Sequence, residues 1–508
     1  MADALFLGLD IGTSGVKAIL VNDAGECAAT ANTPISLSTP RPGWAEQDPE
    51  SWWSATIASI KAVLAIEADA RVVSVGISGQ MHSSVFLDAH GDVIRPALLW
   101  CDGRTTAECN EITSRAGGES YLRDWVRNPA LEGFTLPKIL WLRNSEPASF
   151  ARLATVLLAK DFIRFRLTGR LATEPSDASG TLMFDPARMR WSREILAAVD
   201  LPMTLLPDVG GSAEVLGRVT RAAAAATGLA ADTPVVGGGA DNACGAAGVG
   251  VIKPGEAVAS WGTSGTVLAP TAHPIVDPGL RAHTFCHVAP GLWYLMGVVL
   301  SAGGAFAWYR DNFARELGDG DDHARAHAAL NDEAATVPPG AAGVTFLPYL
   351  QGERTPHRNA SARGAFLGLS LAHTRAHVTR AVLEGVCFAL RDSLSILHEL
   401  GLAPKHLLLI GGGARQPFIR RLQSEVFGLP VSTVTREEGP AYGAALLAAV
   451  GAGAFPSLSA AVRATLARTP LEHPAPGAHE LYREAYARFR ASYPASGGYE
   501  SPPGSAKT

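Results

Sequence analysis

The tetrapeptide GTSG occurs twice in this 508-residue chain, at 12–15 and 262–265. Each copy sits between apolar, strand-like runs. Leu5–Ile11 and VKAILVN flank the first; AVASW and TVLAP flank the second. The spacing predicts a β-hairpin with GTSG at its tip in each half, and so an internal duplication. Two similar domains are expected to meet near residue 245. The length agrees, at roughly 100–200 residues per domain.

Around each hairpin the pattern is mixed α/β. At 48–51, DPES offers an Asp N-cap with Pro in the first turn. Trp53, Ile57, Ile60 and Leu64 then recur as one helical face. RVVSVGISGQMH reads as a buried strand ending in a polar loop, and VFLDAHGDVIRPALLW as a second hairpin. A strand, a glycine turn and a small-residue helix are expected over TPVVGGGADNACG. HLLLIGGGARQPFIRRLQSEVFGLPVSTV reads strand–turn–helix–strand, a parallel crossover. Thr374 caps an expected helix, EGPAYGAALLAAV forms another, and Leu481, Tyr482, Ala485, Tyr486 and Phe489 mark the face of a last one. The tail at 497–508 is expected to be disordered.

Composition excludes several classes. A net charge of −5 leaves no basic footprint for a dedicated nucleic-acid binder. No apolar run approaches the ~18 residues of a membrane span. The N-terminus has neither the charge nor the cleavage site of a signal peptide. The six cysteines (Cys27, Cys101, Cys109, Cys244, Cys286, Cys387) are scattered, which fits a reduced, cytoplasmic protein. Trp52, Trp53 and Trp308 read as core residues.

Several chemistries can be tested against the motifs. There is no Gly-Lys pair, hence no Walker A loop. Gly411/Gly413 and Gly237/Gly239 begin dinucleotide fingerprints, but Gln416 and Asn242 stand where the third glycine belongs. His283 and His287 fall on an expected strand, where four residues span about 13 Å, too far for one metal ion. The GTSG tips can be ordinary polar turns or nests of N–H donors for phosphate oxygens. Asp10, at a strand end, can hold Mg²⁺ through water. Asp241, where a glycine turn meets a helix, can be an N-cap, a base for a hydroxyl proton, or both. Met81 and His82 follow a strand, where α/β folds often bind ligands; a satisfied loop histidine is the other reading.

DIGTSGVK, WAEQDPESWW, ISGQMH, GGGADNACGAAGVG, the second GTSG, FLPYLQGERTPH and LIGGGAR occur in that order. FTLPKILWL, with Lys138, and the run from Gly364 through Phe366, Gly368 and Leu369 to His377 and Glu384 join them. Together they resemble the FGGY family of carbohydrate kinases over residues 5 to about 490, and its xylulose branch in QMH, GERTPH and DPE-x-WW. The resemblance implies two actin-like (ribonuclease H-like) α/β domains, 1–245 and 246–490, with the active site in the cleft between them. It implies ATP and Mg²⁺, and phosphoryl transfer to the 5-hydroxyl of D-xylulose, feeding xylose catabolism into the pentose phosphate pathway. Another ketopentose or a pentitol is the alternative substrate; an ATP-switch binding protein is the alternative class.

Residue by residue, the resemblance makes Asp241 the base and puts Asp10 near Mg²⁺ and the phosphates. Met81 and His82 become the sugar-binding pair, with Asn242 a further sugar contact. Gly12, Thr13 and Ser14 form the first phosphate loop; Gly262, Thr263 and Ser264 form the second. Gly412 and Gly413 form the adenosine-side turn, which departs from many relatives at Gln416 and Pro417. Closure of the cleft on substrate is expected, and a homodimer is common among such kinases.

Overall fold

The computed structural model describes residues 4–67, 71–317 and 323–495. The tail expected at 497–508 lies outside the described residues. Two sheets organise the chain, and their strand order matches. In the first, Ala4–Ile11, Gly15–Val21 and Cys27–Pro34 run antiparallel. Arg71–Gly79 and Pro234–Val236 then add in parallel on the far side of Ala4–Ile11. In the second, Val258–Trp261, Gly265–Thr271 and Trp293–Val299 run antiparallel, and Leu407–Ile410 and Val431–Ser432 add in parallel. The duplication expected from GTSG is thus a duplication of topology. The two tips differ in register: Ile11 pairs with Val16 across the first, Trp261 with Gly265 across the second.

Strand alternation sets what each face does. Leu5, Leu7, Leu9 and Ile11 point outward, into the core beneath helix Pro49–Ile66. Phe6, Gly8 and Asp10 take the opposite face, so the same alternation that buries four aliphatic side chains turns Asp10 toward the second half. Helix Pro440–Gly451 covers this inner face, packing on Ala4–Ile11 and Arg71–Gly79 although it belongs to the second half. It lies close because Gly8 and Gly76 have no side chains. A Cβ on either would stand 2.0 Å from a backbone oxygen of this helix, that of Ala441 or Ala444. Helix Asp241–Gly248 runs against it and shares one apolar cluster with Val258, Leu268 and Leu408 of the second sheet. Residue 245 therefore lies inside a helix that the two halves hold between them.

Several local expectations need correction. The buried face of Pro49–Ile66 is Trp52, Thr56, Ser59 and Val63 with Trp53 and Ile60, while Ile57 and Leu64 are only half-buried. The face turned by one residue because Ser59 donates to Val16 O and Trp52 Nε1 donates to Gln47, both satisfied inside the fold. Val85–Leu87 makes its ladder with Thr155–Leu157, leaving only single bridges, such as Leu87 to Val93, to the segment expected as its hairpin partner. In helix Ala478–Ala495, Tyr482, Ala485, Tyr486 and Phe489 are buried, but Leu481 is 62% exposed. Trp52 and Trp53 are core; Trp308 is half-buried, stacked on Phe346. Asp48 caps its helix through Glu50 N, as expected.

Candidate functional site

Gly237–Gly239 bring the chain from strand to helix with no room for side chains. Gly238 has φ of +72°, and a Cβ there would stand 1.8 Å from Ile77 O. Strand Gly239–Ala240 then leads directly into the helix, so Ala240 is the N-cap and Asp241 the first helical residue. Asp241 is therefore not the cap its position suggested. Its Oδ1 accepts from the N–H and the Nδ2 of Asn242 next to it, which leaves Oδ2 free of intramolecular donors among the described residues. Asn242 Nδ2 also contacts Met81 Sδ at 3.6 Å, and Tyr294 Oη lies 3.9 Å from the same sulfur. Residues 161 apart in sequence thus form one wall.

Asp10 faces Asp241 across the end of the first strand. Its Oδ1 is buried with no hydrogen-bond partner. Burial pushes its pKa up to about 6, against the Ser78 hydroxyl and Lys17. Burial, then the Asp10 charge, pushes Asp241 up to about 7, against the Asn242 hydrogen bonds. The two apparent values belong to the pair. An orphaned carboxylate oxygen beside a second, half-buried carboxylate is a fitting place for a divalent cation or its water. Among the described residues no cluster of three or more His, Cys, Asp or Glu could hold a metal ion. A Mg²⁺ that keeps most of its waters and arrives with phosphate suits this donor set.

His82 adopts φ of +68°, unusual for a residue with a side chain. Its carbonyl is clamped by Thr135 Oγ1 and by Lys138 Nζ, at 3.1 and 2.9 Å. Its Nδ1 lies against Gly180 O, so Nδ1 carries the proton and Nε2 is an acceptor. Burial first, then the charges of Arg354 and Lys138, hold the imidazole well below its usual range, and it is neutral. Lys138 is itself fully buried, and burial pulls it down to about 7.

The two GTSG loops are not equivalent. Thr13 Oγ1 donates to Gln80 Oε1 and accepts from Trp100 Nε1, while Gln47 Nε2 donates to Thr13 O. The Thr13 hydroxyl therefore braces the loop, leaving the backbone amide as the group Thr13 can offer to phosphate. Gly12 N and Gly262 N are consumed within their own turns. The amides of Thr13, Ser14, Thr263 and Ser264 have no intramolecular acceptor among the described residues. Beside the second loop, a Cβ on Gly411 would stand 2.5 Å from Trp261 O, and one on Gly413 2.6 Å from the Trp261 ring. Gly411 N donates to Glu437 Oε1. Gly412 is exposed at this turn, and Gln416 follows it half-buried.

A cavity of about 270 Å³ joins Asp241, Asn242, Ser264, Thr266, Gly411 and Glu437. The structure thus brings Asp241 and Asn242 to the second loop and the Gly411 turn. Met81 joins them through Asn242, and Asp10 through Asp241. Gly12, Thr13 and Ser14 do not line this cavity. Gln47, Gln80, Trp100 and Tyr294 escaped the sequence reading. Gln47 lies within WAEQDPESWW and Gln80 within ISGQMH, and a glutamine at the end of an apolar run was the available signal. A half-buried carboxylate on a cavity that reaches Ser264 of the second loop is suited to moving a hydroxyl proton while an anionic group is transferred.

Residues 5–248 match the FGGY family of carbohydrate kinases, N-terminal domain, and residues 257–452 match its C-terminal domain. A xylulose kinase of Escherichia coli (strain K12) is 41% identical over 455 residues, 89% of this chain and 91% of that protein. The crystal structure of xylulose kinase from Rhodospirillum rubrum is similar with TM-score 0.89 and 33% identity, over 97% of this chain and 99% of that one. That of a gluconate kinase from Lactobacillus acidophilus reaches TM-score 0.91 at 26% identity, over 98% and 99%. Likeness of fold alone therefore does not choose the sugar.

Proposed function

We infer the reaction from one premise: the chain belongs to the FGGY family of carbohydrate kinases. It is an ATP-dependent kinase that phosphorylates D-xylulose, the substrate named for its relatives from E. coli, Lactococcus lactis and Bacillus subtilis. The observation that carries the site reading is Asp241, a half-buried carboxylate with raised proton affinity on the cavity shared with the second glycine loop.

In this reading the 5-hydroxyl oxygen of the sugar bonds to the γ-phosphorus as the bond to the β-phosphate bridging oxygen breaks. ADP leaves, and the hydroxyl proton passes to Asp241 Oδ2. A pKa near neutrality lets Asp241 take that proton and return it to solvent. A loose transition state asks more for positioning than for base strength. The neutral His82 Nε2 accepts a sugar hydroxyl, Met81 supplies an adaptable apolar wall, and Asn242 fixes both Asp241 and Met81. Thr13, Ser14, Thr263 and Ser264 offer backbone donors to the phosphates, Gly12 and Gly262 shape the two turns, and Gly412 and Gly413 border adenosine. Asp10 would hold Mg²⁺ through water; when bound, the ion neutralises phosphate charge.

The chain is divided in this account at 1–245 and 246–490, with helix Asp241–Gly248 as the shared seam. Six unpaired cysteines support a cytoplasmic setting. Among the described residues, no helix is long and apolar enough to cross a membrane.

Two measurements test this reading. The first is initial-rate ADP release with D-xylulose, D-ribulose, xylitol, ribitol and gluconate. D-Xylulose is expected to give a kcat/KM at least tenfold above the others; a higher value for any other sugar overturns the substrate assignment. The second is Trp100→Phe, which removes one hydrogen bond from Thr13. It is expected to raise KM for ATP ~5-fold, from a bond worth ~1 kcal/mol, with kcat little changed. An unchanged KM would separate this brace from phosphate binding.

A further inference from the structure

A second and larger cavity, about 970 Å³, opens between the halves and is lined in part by Trp100, Asn110, Glu132, Gly133, Gln351 and Arg354. Hydrogen bonds tie its wall to the site in two ways. Trp100 Nε1 donates to Thr13 Oγ1. Lys138 Nζ donates to Gly133 O at 2.7 Å and to His82 O at 2.9 Å, so one buried ammonium ties the cavity wall to the histidine.

Arg354 is the unusual member. Its neighbours have charged or backbone partners: Arg358 pairs with Glu119, Arg104 with Asp102, and Glu353 Oε1 accepts from Leu300 N and Arg354 N, although Glu353 Oε2 has no hydrogen-bond partner. The Arg354 guanidinium has no hydrogen bond or ion pair to any described residue, although the side chain is half-buried and Glu132 belongs to the same wall. It packs close to Gly133, where a Cβ would stand 2.7 Å from its Nη2 and 2.7 Å from Trp100 O. A half-buried guanidinium on a cavity wall, with no internal partner, presents its N–H donors to whatever enters the cavity. Its fork of N–H donors matches an oxygen with two lone pairs and a neighbouring hydroxyl. Trp100, Asn110 and Gln351 add an aromatic face and planar amides of the kind that bind polyols.

We propose that Arg354 reads the ketone end of the sugar, donating to the C2 carbonyl oxygen, and is thereby the residue that prefers a ketose to the corresponding alditol. The inference rests on the kinase reading above and adds to it the chemical group that the cavity side of the site selects. The sugar then spans from Asp241 at its 5-hydroxyl, past His82, to Arg354 at its carbonyl. Gly133 is part of the device, since any side chain there would displace the guanidinium.

The test is calorimetric binding of D-xylulose and xylitol, which differ only at C2, to the full chain and to Arg354→Gln, Arg354→Lys and Gly133→Ala. The wild type is expected to bind D-xylulose at least ~10-fold more tightly than xylitol. Arg354→Gln is expected to lose ~10–100-fold for D-xylulose, the range of a charge-assisted hydrogen bond, and less than threefold for xylitol. Arg354→Lys should fall between, and Gly133→Ala should follow Arg354→Gln. Arg354 has no internal partner to orphan, so its replacement leaves folding intact; Gly133→Ala keeps the charge and crowds the guanidinium together with Trp100 O. Equal loss for both sugars, or an unchanged preference in Arg354→Gln, overturns the proposal and leaves the kinase reading standing. A wild type that binds neither sugar overturns both.

Discussion

Asp241→Asn is expected to lower kcat with D-xylulose by about 10²–10⁴-fold while making the protein harder to unfold at pH 8. The two effects have one cause. Asp241 and Asp10 lie half-buried near each other, and loss of water around their carboxyls raises both above the ordinary value of 3.8. A carboxyl whose folded pKa is raised contributes stability that is full below its unfolded pKa. That contribution is lost as pH rises through the folded value. For Asp241 the window runs from about 4 to about 7, so at pH 8 the folded protein carries an ionised carboxylate it would rather protonate. Asparagine removes that charge. The gain is on the order of a few kcal/mol at most, largest above pH 7 and shrinking toward pH 4. The wild-type kcat/KM should rise with pH along a limb near 7, and the variant should lack the limb. Thermal unfolding of both proteins at pH 5 and pH 8 checks the stability half. A variant no more stable at pH 8 than the wild type would show that the carboxylates are not strained by each other and by burial.

Gly443→Val is expected to be the most damaging single change outside the site. A Cβ at 443 would stand 2.0 Å from Cys244 O and 3.0 Å from Cys244 Cα, backbone atoms of the helix that begins with Asp241. The clash cannot be relieved by a rotamer. Helix Pro440–Gly451 is held on its other side by Gly8 and Gly76, where the approach is equally close. Overpacking of this kind costs upward of ~3 kcal/mol, and the midpoint should fall by ~10 °C or the chain should fail to fold. Gly245→Ala is the contrast. It lies in the facing helix, and its nearest neighbour is a Pro440 ring carbon at 3.8 Å. Alanine there should keep or raise the midpoint through helix propensity. Equal midpoints for the two variants would mean that the helices do not meet at Gly443.

Much of this fold was legible because local rules decided it. Alternation from Leu5 to Ile11, Asp48 before Pro49, and the glycine turns between apolar runs gave strands, caps and turns where they are found. The placement of Pro440–Gly451 was not legible. Its composition is apolar on nearly every face, so no stripe says which sheet it covers, and the close approach is written in Gly8 and Gly76, hundreds of residues away. Of the two roles open to Asp241, the cap is excluded because a short strand runs straight into the helix and puts Ala240 at the cap. The site was legible in its motif residues and illegible in their support. That Thr13 Oγ1 is held between Gln80 and Trp100, or that Met81 meets Asn242 and Tyr294, depends on long-range packing that spacing does not encode. Arg354 was visible only as part of a motif; its lack of a partner is a fact of the folded chain.

The most direct test is to measure ADP release from ATP and Mg²⁺ with D-xylulose and with 5-deoxy-D-xylulose, following the phosphorus-31 spectrum of the product. The account predicts one ADP per D-xylulose consumed, a phosphate resonance coupled to the C5 methylene protons, and no turnover with the 5-deoxy sugar. ADP released at the same rate with the 5-deoxy sugar, or with no sugar at all, would contradict it and leave a protein that uses ATP for something other than phosphorylating a pentose.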